Sequence, residues 1–203
     1  MSSSRSLAAP DRPGLPGLRV RQVGPQDWQT YRDLRLAALL DSPRAFWTTY
    51  ASAAALSERD WRDRLEWPTW IAYADTSPDP QRPSAPVGLV ALWRAPEASE
   101  SEIVLVQMWV ATWARGRGAA DALIETALAA ARDDGWTRVV LEVARENERA
   151  AAAYRRLGFV PTGRTAVMPW DESVVEVEMA LDLASRRVGE RGADAACDEH
   201  PPT

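Results

Sequence analysis

The sequence contains no lysine, one cysteine and one histidine. Cys197 and His200 both fall in a polar stretch near the C-terminal end. A lone cysteine closes no internal disulfide, and neither residue has the partners a zinc site needs. The same scarcity removes a Ser-His-Asp triad, a Cys-His pair and a histidine-ligated metal. Chemistry must therefore run on carboxylates, tyrosine, arginine, hydroxyls and backbone groups. No run approaches the ~20 apolar residues that span a bilayer. Residues 1–10 carry one arginine and none of the apolar core of a secretory signal. The expectations are therefore no membrane partner and a cytoplasmic location. A net charge of −5 argues against a nucleic-acid groove.

What is present suits one globular domain. At 203 residues, with 46% of them hydrophobic and 26% charged, the chain can bury a full core and is short for two domains. Residues 1–17 are rich in Ser, Pro and Gly, and residues 184–203 are charged and contain Gly and Pro. Both flanks are expected to be unstructured, which leaves a domain at 18–183. Ser77 to Pro86 is of low complexity and reads as a long exposed loop.

Within the domain, Leu18–Val23 alternates like a strand and Pro25–Leu40 repeats apolar residues at helical spacing. Ser57 caps a second helix running to about Glu66. Strands are expected over Thr69–Ala74, Val87–Arg94 and Glu102–Ala111. An amphipathic helix follows, with Ala120, Leu123, Ile124, Ala127, Leu128 and Ala131 on one face and Gly135 as its stop. A strand over Arg138–Val143, a helix over Asn147–Leu157 and strands over Phe159–Arg164 and Val174–Leu181 complete the pattern. The order β-α-α-β-β-β-α-β-α-β-β indicates an α/β domain on a mixed sheet.

The segment Trp109-Val110-Ala111-Thr112-Trp113-Ala114-Arg115-Gly116-Arg117-Gly118-Ala119-Ala120 joins a buried-looking strand to the long helix. Glycines at 116 and 118 permit a sharp turn and leave the N–H groups open to a ligand. Those groups point out of a helix N-terminus, where the dipole is positive, and Arg115 and Arg117 add charged donors. Such a turn suits a diphosphate, and a plain strand-to-helix turn with solvated arginines has the same sequence. It lacks the Gly-Lys-Ser/Thr ending of a P-loop and the three glycines of a dinucleotide fingerprint.

A second segment separates the two readings. Val139-Val140-Leu141-Glu142-Val143 is followed by Asn147, Ala150, Tyr154 and Leu157-Gly158-Phe159. With Arg115-Gly116-Arg117-Gly118-Ala119-Ala120, this order resembles the GNAT superfamily of acetyl-CoA-dependent N-acetyltransferases. The resemblance covers about residues 18–183. Residues 25–56, including Asp41-Ser42-Pro43 and Ala45-Phe46, look like the first helical region of many bacterial members.

The resemblance implies a single GNAT-like domain with a twisted, mostly antiparallel sheet of about seven strands and about four helices. It implies acetyl-CoA as co-substrate, no metal, and direct attack of an amine on the thioester. The acceptor would be a small molecule, an amino-acid-like compound or a protein N-terminus. A CoA-binding sensor that kept the fold without turnover is the alternative, and a homodimer is a reasonable expectation.

The same likeness assigns the pyrophosphate to the 115–120 turn, places Met108, Trp109 and Val110 along the cofactor, and puts the oxyanion donor near Val110. Asn147 matches a cofactor-side residue, although an asparagine there is also a good helix N-cap. Tyr154 matches the general acid that protonates the leaving thiolate. It also sits where a helix ending at Gly158 would staple against Phe159. Glu102, thirteen positions before Arg115, is the candidate general base, with a solvated strand-entry carboxylate as its plain reading. Glu142 is its rival, facing away from Leu141 and Val143 on the next strand, and a water chain is a third route.

Most of the ten tryptophans are expected in the core or half-buried. Phe46, Trp47, Trp109 and Trp170 are better placed to shape an acceptor pocket, where aromatic faces favour an apolar or cationic amine. Asp41, Glu58 and Asp60 would attract a cation or simply form a solvated face.

Overall fold

The computed structural model describes residues 13–183 apart from 78, 80, 82 and 97. The flanks 1–12 and 184–203, with Cys197 and His200, lie outside the described residues. Seven strands form one sheet in the order β1-β2-β3-β4-β5-β7-β6. They are β1 (Arg19–Val23), β2 (Thr69–Ala74), β3 (Ala85–Trp93), β4 (Glu102–Val110), β5 (Arg138–Ala144), β6 (Val160–Met168) and β7 (Asp171–Asp182). Neighbours run antiparallel except β4 and β5, which are parallel. Among the described residues the helices are α1 (Trp28–Asp41), α2 (Tyr50–Ala54), α3 (Glu58–Asp63), α4 (Ala119–Asp133) and α5 (Glu148–Arg156).

The order of elements is the expected one, with three differences. The short α2 interrupts what reads as a loop, and Thr49 caps it by accepting from the Ser52 N–H. The last two strands are longer than their apolar pattern suggests, because β6 is an edge whose residues are mostly exposed. Residues 13–17 are not loose: Leu15 is buried and donates its N–H to the Arg117 carbonyl, and the Asp75 N–H bonds to the Pro16 carbonyl. No helix among the described residues is long and apolar enough to cross a membrane.

Helix periodicity explains the layers. On α4, Leu123, Ile124, Ala127, Leu128 and Ala131 share a buried stripe that packs on β2, β3 and β4. Each large aliphatic on it contributes about 1.5–3 kcal/mol by leaving water. On the opposite face α1 turns Tyr31, Leu34, Arg35, Ala38 and Leu39 inward toward β3 and β4. Covered on both sides, β2 and β3 are buried along nearly their whole length.

The sheet opens at one place. β4 and β5 keep parallel register only from Glu102–Arg138 to Val104–Val140. Beyond it β4 carries an extra residue relative to β3, since Leu89 faces Trp109 while Ala91 faces Val106. Gln107 absorbs the bulge in a left-handed conformation, φ 60°, and its side chain accepts a 2.8 Å hydrogen bond from the Tyr31 hydroxyl. Opposite, a Cβ on Gly88 would stand 2.7 Å from the Trp109 carbonyl oxygen and 3.1 Å from Leu123. Glycine is therefore what lets β3 approach β4 beside the bulge. Gly88→Ala should lower stability by about 1–3 kcal/mol. Thermal unfolding checks this, with an expected Tm fall of roughly 2–12 °C for a domain of this size.

Candidate active site between β4 and β5

Where the two strands part there is a cavity of about 500 Å³. Met108, Trp109 and Val110 line it from β4, Arg115, Gly116, Gly118 and Ala120 from the turn, and Asn147 and Tyr154 from α5. Nine residues expected at a cofactor site are thus brought to one cavity from three elements. Gly116 and Gly118 have φ values of 74° and 91°, which only glycine adopts at little cost. Their turn delivers the chain into the first N–H groups of α4, a fifteen-residue helix that opens with its positive dipole end on the cavity.

Two expected residues do not line it. Ala119 is buried in the first turn of α4. Arg117 points the other way, its Nε donating to the Pro13 carbonyl at 2.9 Å and its Nη2 to that of Gly14 at 3.3 Å. The positive charge here comes instead from Arg149, whose Nη2 lies 3.7 Å from where a Gly116 Cβ would stand. In sequence Arg149 reads as one of several solvated helix arginines, because its proximity to Gly116 requires α5 to lie against the turn.

Arg115 lines the cavity but is not a free cation. Its Nη2 pairs with the Asp41 carboxylate and its Nε donates to the Val110 carbonyl at 2.8 Å. Asp41 also accepts from the Trp109 indole at 2.9 Å, the Thr112 hydroxyl at 2.7 Å and the Ser42 hydroxyl at 2.7 Å. It does not present a free charge to a cationic substrate; it ties the end of α1 to the end of β4. Of the other two acids weighed with it, Glu58 pairs with Arg62 and Asp60 closes a capping box with Ser57.

Tyr154 makes the helix staple and also lines the cavity. The Phe159 N–H bonds to the Tyr154 carbonyl and the Gly158 N–H to that of Arg155, a complete Schellman end. The Tyr154 ring meets Phe159 edge-on at 5.8 Å. Burial pushes its phenol above the ordinary value of 10, so the hydroxyl holds its proton at neutral pH. Asn147 is the N-cap of α5, accepting from the Ala150 N–H at 3.2 Å, and lines the cavity as well.

Glu102 is not brought to the cavity. It lies at the opposite end of β4 from Val110, about 25 Å along the strand. There it faces Arg138, whose Nε stands 3.0 Å from its carboxylate. Glu142 is placed differently. It pairs across the sheet with Glu178, while Ala144 pairs with Glu176 on the same face. That face is the one away from Leu141 and Val143, under the loop from α1 to α2. Burial, then the charges of Glu176 and Glu178, raise the pKa of Glu142, and burial raises that of Glu176.

Glu176 is 3% exposed and accepts from the Trp47 indole. The Trp170 indole donates to the Phe46 carbonyl at 3.0 Å. Phe46, Trp47 and Trp170 thus gather beside Glu142, on the other side of the sheet from Tyr154. Sequence reading missed Glu176. The alternation in Val175-Glu176-Val177-Glu178 puts both acids on one face, but only the β5–β7 register sets them beside Glu142. No group of three or more His, Cys, Asp or Glu among the described residues is arranged to hold a metal ion.

Residues 33–159 match the sequence profile described as the acetyltransferase (GNAT) family. The chain belongs to that family. Rat N-acetyltransferase 8F1 is 38% identical over 87 residues, 41% of this chain and 39% of the relative. Human N-acetyltransferase 8 is 32% identical over 96 residues, 46% of this chain and 42% of the relative. The chain therefore spans about two-fifths of the length of these curated relatives. A putative acetyltransferase from Salmonella typhimurium, solved with acetyl-CoA, superposes with a TM-score of 0.66 at 16% identity over 92% of this chain and 98% of that one. The NatC complex bound to Gag peptide and CoA gives 0.62 at 19% identity over 81% and 98%. At such identities the likeness concerns the GNAT fold alone.

The Asp41 node carries a pH signature. Burial works against its charge, but the bonds from Trp109, Thr112, Ser42 and Arg115 outweigh it and hold the carboxyl below the ordinary 3.8. The stability it contributes is present above that value and is lost as pH falls toward the lowered folded one. Asp41→Asn should cost about 1.5–3 kcal/mol at neutral pH. Thermal melts of both proteins should show the gap closing between about pH 4 and pH 2.

Proposed function

We propose that the protein transfers the acetyl group of acetyl-CoA to a primary amine by direct attack. The observation that carries this reading is one cavity lined both by an anion-receptive turn and by a buried, protonated tyrosine. Acetyl-CoA supplies the thioester. The N–H groups around Gly116 and Gly118, the α4 dipole and Arg149 suit its pyrophosphate. The backbone of β4 near Val110, freed from β5 beyond the end of their register, offers a donor to the carbonyl oxygen.

In the reaction the amine nitrogen forms the new C–N bond as the C–S bond breaks. An alkylamine with a pKa near ~10 must first lose a proton. Glu142 and Glu176, on the face where the aromatic loop lies, accept protons more readily than ordinary carboxylates because both pKa values are raised. Tyr154 holds the proton that the departing thiolate takes. Its ring is fixed by Phe159, so the hydroxyl needs no reorganisation to deliver it. That the relatives are N-acetyltransferases supports the amine as acceptor.

Acetyl-CoA at ~100 times its dissociation constant should add about 2.7 kcal/mol to stability, raising Tm by roughly 5–10 °C. No shift at millimolar acetyl-CoA overturns the proposal. With a turned-over amine in hand, Tyr154→Phe should cut the transfer rate by about 10²–10⁴ and leave acetyl-CoA affinity nearly unchanged. An unaltered rate would remove the acid role. Glu102→Gln should leave kcat/KM within about threefold, since its carboxylate sits a strand's length from the cavity; a loss of 100-fold would restore it as base.

A further inference from the structure

The polar group hardest to account for lies on the acceptor side of the sheet. Arg35, in the middle of α1, is 6% exposed. Its Nη1 is fully buried without a hydrogen-bond partner. Among the described residues no ion pair to its guanidinium is found; its contact is with the Phe46 ring, whose centroid lies 4.6 Å away. Burial lowers its pKa to about 10, which still leaves it charged at neutral pH. The other groups it senses are the Tyr31 phenol and Arg64, a second cation. A buried cation beside another cation and without a carboxylate is unfavourable, and the Phe46 ring offsets only part of that cost. The site is short of an anion.

Its neighbours show where such an anion would come from. Phe46, which covers the guanidinium, belongs to the loop between α1 and α2. The next residue, Trp47, donates to Glu176, and the Phe46 carbonyl accepts from Trp170. One helical turn before Arg35, Tyr31 donates to Gln107 in the β4 bulge, next to the cavity-lining Met108. Arg35 therefore stands between the loop that covers the acidic face and the bulge that opens the sheet.

We propose that Arg35 is an anion-binding site for the carboxylate of the acceptor, and that the acceptor is an amino-acid-like compound whose amine is directed toward Glu142 and Glu176. This rests on the acetyl-transfer reading. The guanidinium offers paired N–H donors to a carboxylate, and the Phe46 ring is the loop element that yields when the ligand enters. With no carboxylate paired to it among the described residues, the cation keeps its donors available for substrate, at a cost in stability.

The test uses matched acceptors that differ only in the carboxylate: phenylalanine and 2-phenylethylamine, tryptophan and tryptamine, leucine and isoamylamine. CoA release is followed with a thiol reagent for the wild type, Arg35→Met and Arg35→Lys. The wild type should favour the amino acid of at least one pair by about 10- to 100-fold in kcat/KM, the range of a charge-assisted bond. Arg35→Met should collapse that ratio to near unity, Arg35→Lys should retain part of it, and Arg35→Met should melt no lower than the wild type. No carboxylate preference in any pair overturns the proposal, as does an equal loss for both members of a pair. A folding defect in Arg35→Met overturns it too, by showing the guanidinium to be structural. Acetyl-CoA stabilisation without turnover of any pair also overturns it while leaving the cofactor reading standing. Absence of that stabilisation instead brings down the acetyl-transfer reading itself.

Discussion

Two parallel strands that start side by side and then part set the architecture of this protein. β4 and β5 share register over three residue pairs and separate beyond Val104 and Val140. Breaking a ladder inside a sheet sacrifices backbone hydrogen bonds, so the opening must be held from elsewhere. Gln107 holds it from within β4, taking a left-handed conformation and a bond from Tyr31. Asp41 holds it from α1, gathering Trp109, Thr112 and Arg115 at the end of the strand. The cavity, the approach of α5 and the position of Tyr154 all follow from this gap.

The opening joins two faces of opposite electrostatic character. On one, the N-terminus of α4, the glycine turn and Arg149 form a positive mouth suited to a polyanion. On the other, Glu142, Glu176 and Glu178 line β5 and β7 beneath an aromatic loop. Arg44 clamps that loop at 2.9 Å to both Glu146 and Asp171, tying it to the start of α5 and the β6–β7 turn. Arg35 is the exception on the acidic side, a buried cation under the Phe46 ring with no ion pair among the described residues.

Much of the fold was legible because local chemistry and global role agree. The α4 stripe, the Gly116–Gly118 turn and the Gly158 stop each serve nearest neighbours in sequence, and each stands where periodicity places it. The family motifs led to Met108, Trp109, Val110, Asn147 and Tyr154, which do converge on one cavity. Glu102 failed because a carboxylate at the start of a nine-residue strand is at the wrong end for a site at its finish. Arg117 failed because its partners, the carbonyls of Pro13 and Gly14, lie about a hundred residues away in the chain.

The sequence alone determined the element order, the glycine turn, the helix caps and the membership signalled by two spaced motifs, since all of these are set within a turn or two of chain. Tertiary structure decided the rest. It made Arg115 a partner of Asp41 rather than a free cation, set Glu176 beside Glu142, brought Arg149 over Gly116 and buried Arg35 under Phe46 with no ion pair among the described residues. Each of these depends on strand register or helix docking between residues far apart in sequence. Such contacts are fixed only when the whole core closes, and no local pattern encodes them.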